Sequence, residues 1–388
     1  MTEAANASIE PASAPGVQDF LGGTKLEDGI GLCLSGGGFR AMLFHLGSFV
    51  RLNELGFLQK LERVASVSGG SIAAGALAVA WSELAFDKKG VASNLIEKVG
   101  EPILLLARWP LDIPAIALGL LPFVNAANVA AAVYDFVLLR GKTLQDLPER
   151  PRFVFIATSL QTGAVWRFAR EYAAEWNVGE WRRPEFRVAS VVGASAAFPP
   201  FFSPARIRIP AGRLSELDGA GLTVPPYTTR LSLTDGGVYD NLGLEPIWKR
   251  YRTILVSDGG LRTPAVPRPW ANWLSVSKRA TNLALQQGIN MRIRVLYGLD
   301  RIGQRKLVHW GIGLGVDSYK GGNPLSFSRG ATQTAAQVPT RLTRLPAEMR
   351  NLIMKAGYAH ADAALRASGL LGRDFPAASF DGLPLLRP

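Results

Sequence analysis

The sequence predicts an α/β protein, a three-layer sandwich around a mainly parallel central sheet, chiefly because two strand–loop–helix units follow one another. Residues 29–34 form a short apolar run that passes into Ser35-Gly36-Gly37-Gly38 and then into a helical pattern over 39–55, with Leu43, Leu46, Phe49 and Leu52 at helical spacing. A second unit comes at once: 64–67 is β-prone, Ser68-Gly69-Gly70 is a tight turn, and 72–86 is a helix of small residues. Alternating β and α units bring each new strand back parallel to the last and cover both faces of the sheet with helices.

Further strands are expected at 152–159, 231–234, 253–257 and 307–313, and a helix over 346–367. Between 102 and 139 the composition turns apolar, interrupted by Pro110, Pro114 and Pro122, with no charge at all from Ile113 to Tyr134. Its prolines and Asn125 and Asn128 argue against a bilayer span and for an apolar helical insertion of two or three short pieces. Residues 1–20, rich in Ala, Ser and Pro, read as a disordered tail without the basic start and apolar centre of a signal peptide. The expected organisation is therefore that tail followed by one domain over 21–388, located in the cytoplasm or peripherally on a membrane.

At 388 residues and 48% apolar composition the chain can bury a substantial core. Lys and Arg number 43 against 31 Asp and Glu, so an anionic partner is expected, either a phospholipid surface or nucleic acid. The excess is concentrated: from Lys249 to Lys306 there are twelve basic residues and two acidic ones, Asp258 and Asp300, with Trp270 and Trp273 among them. That mixture suits an anionic membrane surface, and no nucleic-acid-binding motif accompanies it. The single cysteine, Cys33, lies in an apolar run as a core thiol and excludes an internal disulfide. No Cys/His metal spacing or calcium loop is present, and no cofactor is called for.

Ser66-Val67-Ser68-Gly69-Gly70 sits where a strand turns sharply into a helix, the context of a nucleophile elbow with Ser68 at its centre. Serine replaces the usual first glycine at 66. A rival elbow, Gly193-Ala194-Ser195-Ala196-Ala197, is followed at once by Pro199 and Pro200 and lacks the long helix such a turn needs. A serine capping a helix is the plain alternative for Ser68. The upstream loop adds weight, since backbone N–H groups of Gly36, Gly37 and Gly38 can donate to the oxyanion formed in ester hydrolysis. The same loop formally fits a dinucleotide fingerprint, Gly36-x-Gly38-x-x-Ala41, but the next strand does not end in the acidic residue that would hold a ribose. Arg40, directly after the glycines, is a candidate for steering a phosphate head group.

A serine hydroxyl needs a base. His309 and His360 could complete a Ser-His-Asp triad, although His309 lies in a strand-like run and His360 in an amphipathic helix. Asp235, in Leu231-Ser-Leu-Thr-Asp-Gly-Gly237, and Asp258, in Ser257-Asp-Gly-Gly260, both end strands in glycine turns, and spacing does not separate them.

Four ordered blocks, Gly36-Gly37-Gly38-Phe39-Arg40, Ser66-Val67-Ser68-Gly69-Gly70, Ala194-Ser195-Ala196-Ala197-Phe198-Pro199 and Asp235-Gly236-Gly237-Val238-Tyr239-Asp240-Asn241, resemble those of the patatin-like phospholipases. The resemblance implies a Ser-Asp dyad without histidine. Ser68 would then be the nucleophile, Asp235 rather than Asp258 the general base and acid, and Gly36 to Gly38 the oxyanion hole. Ser195 becomes part of a packing block. The implied activity is that of a phospholipase A or lysophospholipase working through an acyl-enzyme. A general esterase or triacylglycerol lipase with a Ser-His-Asp triad, and a catalytically silent membrane-binding module, are the alternatives.

Overall fold

A computed structural model describes residues 26–384 except 123, 261, 321–323 and 371–375; the expected tail at 1–20 lies outside the described residues. The chain runs β1 (Glu27–Leu34), α1 (Gly38–Glu54), β2 (Leu61–Ser66) and α2 (Gly69–Ala80), which are the two predicted units. Three short helices follow over the apolar stretch: α3 (Glu101–Leu106), α4 (Asp112–Gly119) and α5 (Ala126–Tyr134). Next come β3 (Arg152–Ser159), a meander of β4 (Val165–Phe168), β5 (Tyr172–Glu175) and β6 (Gly179–Arg182), then α6 (Val188–Ser195), β7 (Ala205–Arg208), β8 (Arg230–Asp235) and the single turn α7 (Gly237–Asp240). The last third holds β9 (Tyr251–Asp258), α8 (Trp273–Arg301), β10 (Lys306–Gly311), α9 (Arg329–Ala336) and α10 (Ala347–Ser368).

The predicted sandwich is present. Its sheet runs β10-β9-β1-β2-β3 with every neighbouring pair parallel, and then continues antiparallel through β4, β5 and β6. The antiparallel extension was not foreseen, because its strands are four residues long and carry charged residues such as Arg167 and Glu180 that hide a strand pattern. The parallel strands are buried on both sides. Along β1, Leu32 and Leu34 enter the larger core under α1, α2 and α10, while Cys33 enters the smaller core on the opposite face with Val256 and Leu296.

The helical layer over the larger core is held by close contact. Helix α10 lies across α1 so tightly that a Cβ at Gly357 would stand 1.9 Å from the Phe44 carbonyl oxygen, and one at Gly47 would stand 2.0 Å from that of Met354. The same crossing buries a charge: the Arg51 guanidinium is fully enclosed and meets Asp362 Oδ1 at 2.7 Å, while Arg366 holds Asp362 Oδ2 at 2.8 Å. The apolar helices α3 to α5 are partly buried, through Ile103, Ala115, Ala127 and Tyr134, and partly open, through Leu105, Ile113 and Leu118. No described helix is long and apolar enough to cross a membrane.

Removing one member of a buried ion pair strands the other charge. Asp362→Ala is therefore expected to cost about 3 kcal/mol of stability, read from urea denaturation. A midpoint shift no larger than that of a surface substitution would show that Glu54 and the Pro376 carbonyl suffice for Arg51.

Candidate active site

The site is made where two strands meet end to end on one edge of β3. Strand β2 pairs with the first half of β3, placing Ser66 opposite Phe155, and β8 pairs antiparallel with the second half, placing Asp235 opposite Ala157. Two residues along a strand is about 6.6 Å. The turn that leaves β2 and the turn that leaves β8 thus face each other across that gap, with Ser68 on one and Asp235 on the other.

Ser68 has φ 54° and ψ −121°, a left-handed conformation that costs a non-glycine residue of order 1–3 kcal/mol. Surrounding bonds enforce it. The Ser68 N–H donates to Ser195 Oγ at 3.0 Å, the Ser195 hydroxyl lies 2.8 Å from Ser71 Oγ, and the Ser71 hydroxyl donates to Ser66 Oγ at 3.0 Å. Each of these hydroxyls has one proton, so with Ser71 donating to Ser66, Ser195 donates to Ser71 and keeps its lone pair for the Ser68 N–H. The serine at 66, where the elbow pattern has glycine, is a working member of this relay. Glycine is obligatory one step later: a Cβ at Gly69 would lie 2.1 Å from the Gly38 carbonyl oxygen.

Asp235 is buried, and its Oδ1 accepts the Gly237 N–H at 2.8 Å. Oδ2 is enclosed with no hydrogen-bond partner among the described residues. Burial pushes the carboxyl pKa up to about 6, against the opposing pull of the Ser68 hydroxyl and the Gly237 N–H. Tyr134 is buried close enough for the Asp235 charge to add to the rise that burial imposes on its phenol. Its hydroxyl also has no partner among the described residues. Sequence reasoning missed Tyr134, which lies in an apolar helix like any core tyrosine.

The block at 194–199 clamps both groups. Besides the Ser195 hydroxyl on Ser68, the Ser195 carbonyl accepts the Gly236 N–H at 3.2 Å and the Ala197 carbonyl accepts the Asp235 N–H at 3.0 Å. Asn241, at the end of the Asp235 block, accepts the Gly36 N–H on its carbonyl at 3.0 Å, and its side chain lies between Gly36 and Gly237. These links position the groups; neither could be inferred from spacing, because each joins segments far apart in the chain.

The expected oxyanion glycines divide. Gly36 is corrected, since its N–H is already engaged by Asn241. Gly37 and Gly38, with φ of 145° and 61°, have N–H groups that meet no acceptor among the described residues. Arg40 is also corrected: its fully buried guanidinium donates to the Gly259 carbonyl at 3.1 Å, the Val338 carbonyl and Thr340 Oγ1, and so ties loops together with no face left for a head group. The dinucleotide reading fails for a related reason. The first turn of α1, where a pyrophosphate would sit, is covered by Arg341, whose carbonyl accepts the Phe39 N–H.

The remaining candidates are elsewhere. Asp258 ends β9, separated from β2 by β1, so about 10 Å of sheet lies between them. His45 is buried, with Nε2–H donating to the Ser35 carbonyl at 2.9 Å and Nδ1 accepting from Ser257, and burial holds its pKa near 4. His360 bonds Tyr319 and Thr332 and is pushed down to about 3 by burial, while His309 Nδ1 meets the Tyr297 hydroxyl. None of the three is bonded to Ser68. Among the described residues no group of His, Cys, Asp and Glu is arranged to hold a metal.

Ser68, in a strained strand-to-helix turn, thus faces a buried carboxyl that ends a second strand. The family model for patatin-like phospholipases matches residues 32–248, more than half of the chain, and the chain belongs to that family, whose members hydrolyse lipid esters. A comparison with curated protein sequences returned no match. Among solved structures, VipD from Legionella pneumophila is 15% identical over 89% of this chain and 67% of its own, with a TM-score of 0.39. Human GIVD cytosolic phospholipase A2 is 13% identical over 88% of this chain, with a TM-score of 0.45; the match spans 60% of the human chain. Its complex with methyl gamma-linolenyl fluorophosphonate gives 14%, 90% of this chain, 61% of the human one and 0.46.

Two outcomes test this geometry. Ser195→Ala removes the acceptor that holds the Ser68 N–H and should lower kcat for ester hydrolysis about tenfold or more with KM little changed. His309→Gln and His360→Gln should each retain activity within about tenfold; loss from either, with unchanged thermal unfolding, would place the chain among the Ser-His-Asp enzymes.

Proposed function

We propose that the chain is a phospholipase A or lysophospholipase that cleaves carboxylic esters with a Ser68/Asp235 dyad. The observation that carries the reading is the pairing of a strained serine with a buried carboxyl whose Oδ2 is unengaged and whose pKa lies near 6. Such a carboxylate is ionised at neutral pH and yet basic enough to take a proton in the transition state.

In the proposed sequence of steps, Ser68 Oγ attacks the acyl carbonyl as Asp235 Oδ2 takes its proton. The N–H groups of Gly37 and Gly38, aided by the positive end of α2, hold the oxyanion. Collapse of the tetrahedral intermediate breaks the ester bond, and Asp235 gives the proton to the departing alcohol. Water, deprotonated by Asp235, then releases the fatty acid from Ser68. The described residues act as one catalytic domain in this reading, with α3 to α5 as an apolar insertion beside the site. The substrate is a phospholipid or lysophospholipid, and the enzyme works peripherally on an anionic membrane surface.

Ser68→Ala and Asp235→Asn should each reduce hydrolysis of a fluorogenic acyl ester by several orders of magnitude, while Asp258→Asn should not; the reverse result for the two aspartates would reassign the base. As the base must be ionised, kcat/KM should rise with pH through an apparent midpoint of about 6. Stability should move the other way. The folded carboxyl holds its proton more tightly than an ordinary aspartate, whose pKa is 3.8, so its contribution is complete below that pH and is lost as pH rises through about 6. Asp235→Asn should therefore be inactive yet more stable at neutral pH by on the order of 2 kcal/mol, measured by urea denaturation. Equal stability of the two proteins at neutral pH would show that burial does not strain this carboxylate.

A further inference from the structure

Helix α8 is longer than the sheet it crosses. Its 29 residues span about 43 Å, whereas the eight residues of β9, which it follows, span about 26 Å. The surplus lies at one end. Leu296 is buried and Ile289 and Ile293 pack on the smaller core, so the C-terminal half is the part seated on the sheet. Arg292, 3.8 Å from Asp240 and 5.5 Å over the Tyr239 ring, fastens that half to the turn after Asp235.

The N-terminal half extends beyond this seat. Because β9 and β10 are parallel, the crossover must begin at the carboxyl edge of the sheet, the edge at which Ser68 and Asp235 stand. The loop that leads into α8 starts at Gly259, whose carbonyl oxygen is within 3 Å of where a Cβ on Gly37 would lie. The projecting end is therefore joined to the candidate oxyanion loop at its root.

Its surface is unusual for a free helix end. Trp270 and Trp273 are 77% and 79% exposed, and Leu274 and Val276 are exposed beside them. A cleft of about 510 Å³ runs between the loop and the first turns, lined by Val266, Pro269, Trp270, Val276, Arg279 and Leu283 and by neither Ser68 nor Asp235. Between Asp258 and Asp300 there is no acidic residue, while Arg262, Arg268, Lys278, Arg279, Arg292 and Arg294 are basic. Exposed tryptophans beside Arg268, Lys278 and Arg279, in a segment without acidic residues, complement one environment above others, the head-group layer of an anionic bilayer. A protein partner recognised by charge would leave the tryptophans unexplained, and a second copy would bring like charges together.

We propose that the projecting end of α8 and the loop before it are a membrane-docking arm that seats the carboxyl edge of the sheet on anionic lipid. The assignment rests on the lipid hydrolase reading and names the surface through which that enzyme meets its substrate. Trp270 and Trp273 enter the interface, while Arg268, Lys278 and Arg279 contact lipid phosphates.

The test uses the full chain carrying Ser68→Ala, so that vesicles stay intact, with phosphatidylcholine vesicles and with phosphatidylcholine–phosphatidylglycerol vesicles at low and high salt. Binding should favour the anionic vesicles and fall with salt. Trp270→Ser/Trp273→Ser and Lys278→Glu/Arg279→Glu should each weaken it about tenfold or more. The same changes in the chain with Ser68 intact should leave hydrolysis of a soluble short-chain ester within about twofold. Arm variants that bind anionic vesicles like the parent, or a dimer that these substitutions dissociate, would overturn the assignment. Arm-dependent vesicle binding by a chain that hydrolyses no ester would uphold it and overturn the hydrolase reading instead.

Discussion

Strand β3 offers one edge to two partners, and the candidate site depends on the place where they meet. Strand β2 occupies that edge as far as Phe155, and β8 enters from the other direction to occupy it from Ala157. Neither strand can extend further without displacing the other, so each chain must turn out of the sheet at the junction. The turns put Ser68 and Asp235 face to face. A backbone constraint, strand pairing, thus decides which serine and which aspartate share a site.

The polar groups around the junction hold strain in place. Ser68 adopts a conformation disfavoured for any side chain, and the relay through Ser195, Ser71 and Ser66 supplies the hydrogen bonds that make it the stable choice. Asp235 carries a second cost, since burial raises its pKa toward 6 while its own loop satisfies one oxygen. Both costs fall on groups that the proposed chemistry uses, and both are met by rigid elements: α6 below, β3 beside, and the Asn241 bridge to the glycine loop.

Some of the exposed apolar side chains belong to segments rooted at the same edge of the sheet. The loop before α8 leaves from Gly259, and Arg341 and Leu342 bond both the glycine loop at Phe39 and the start of α4 at Leu111 and Asp112. Apolar side chains at Ile113 on one side and at Trp270 and Trp273 on the other therefore belong to segments rooted beside the candidate oxyanion glycines.

Local pattern by itself determined the parallel core, the two strand–glycine–helix units and the serine elbow, because these depend on residue size and hydrophobic period within about twenty neighbours. It also identified the four blocks that mark the family. By spacing alone it could not choose between Asp235 and Asp258, which end strands in the same kind of glycine turn; the resemblance of the Asp235 block pointed to Asp235, and sheet order, with β1 between β9 and β2, sets Asp258 apart from Ser68. It assigned Arg40 to a head group and Gly36 to the oxyanion because both stand next to the right glycines, whereas their partners at Val338, Thr340 and Asn241 come from distant segments. It read the block at 194–199 as packing, and the tertiary structure adds that its hydrogen bonds hold both the Ser68 and the Asp235 turns. Sequence spacing carries what neighbours in the chain impose on one another, and hydrogen bonds between segments hundreds of residues apart are settled only once the sheet has formed.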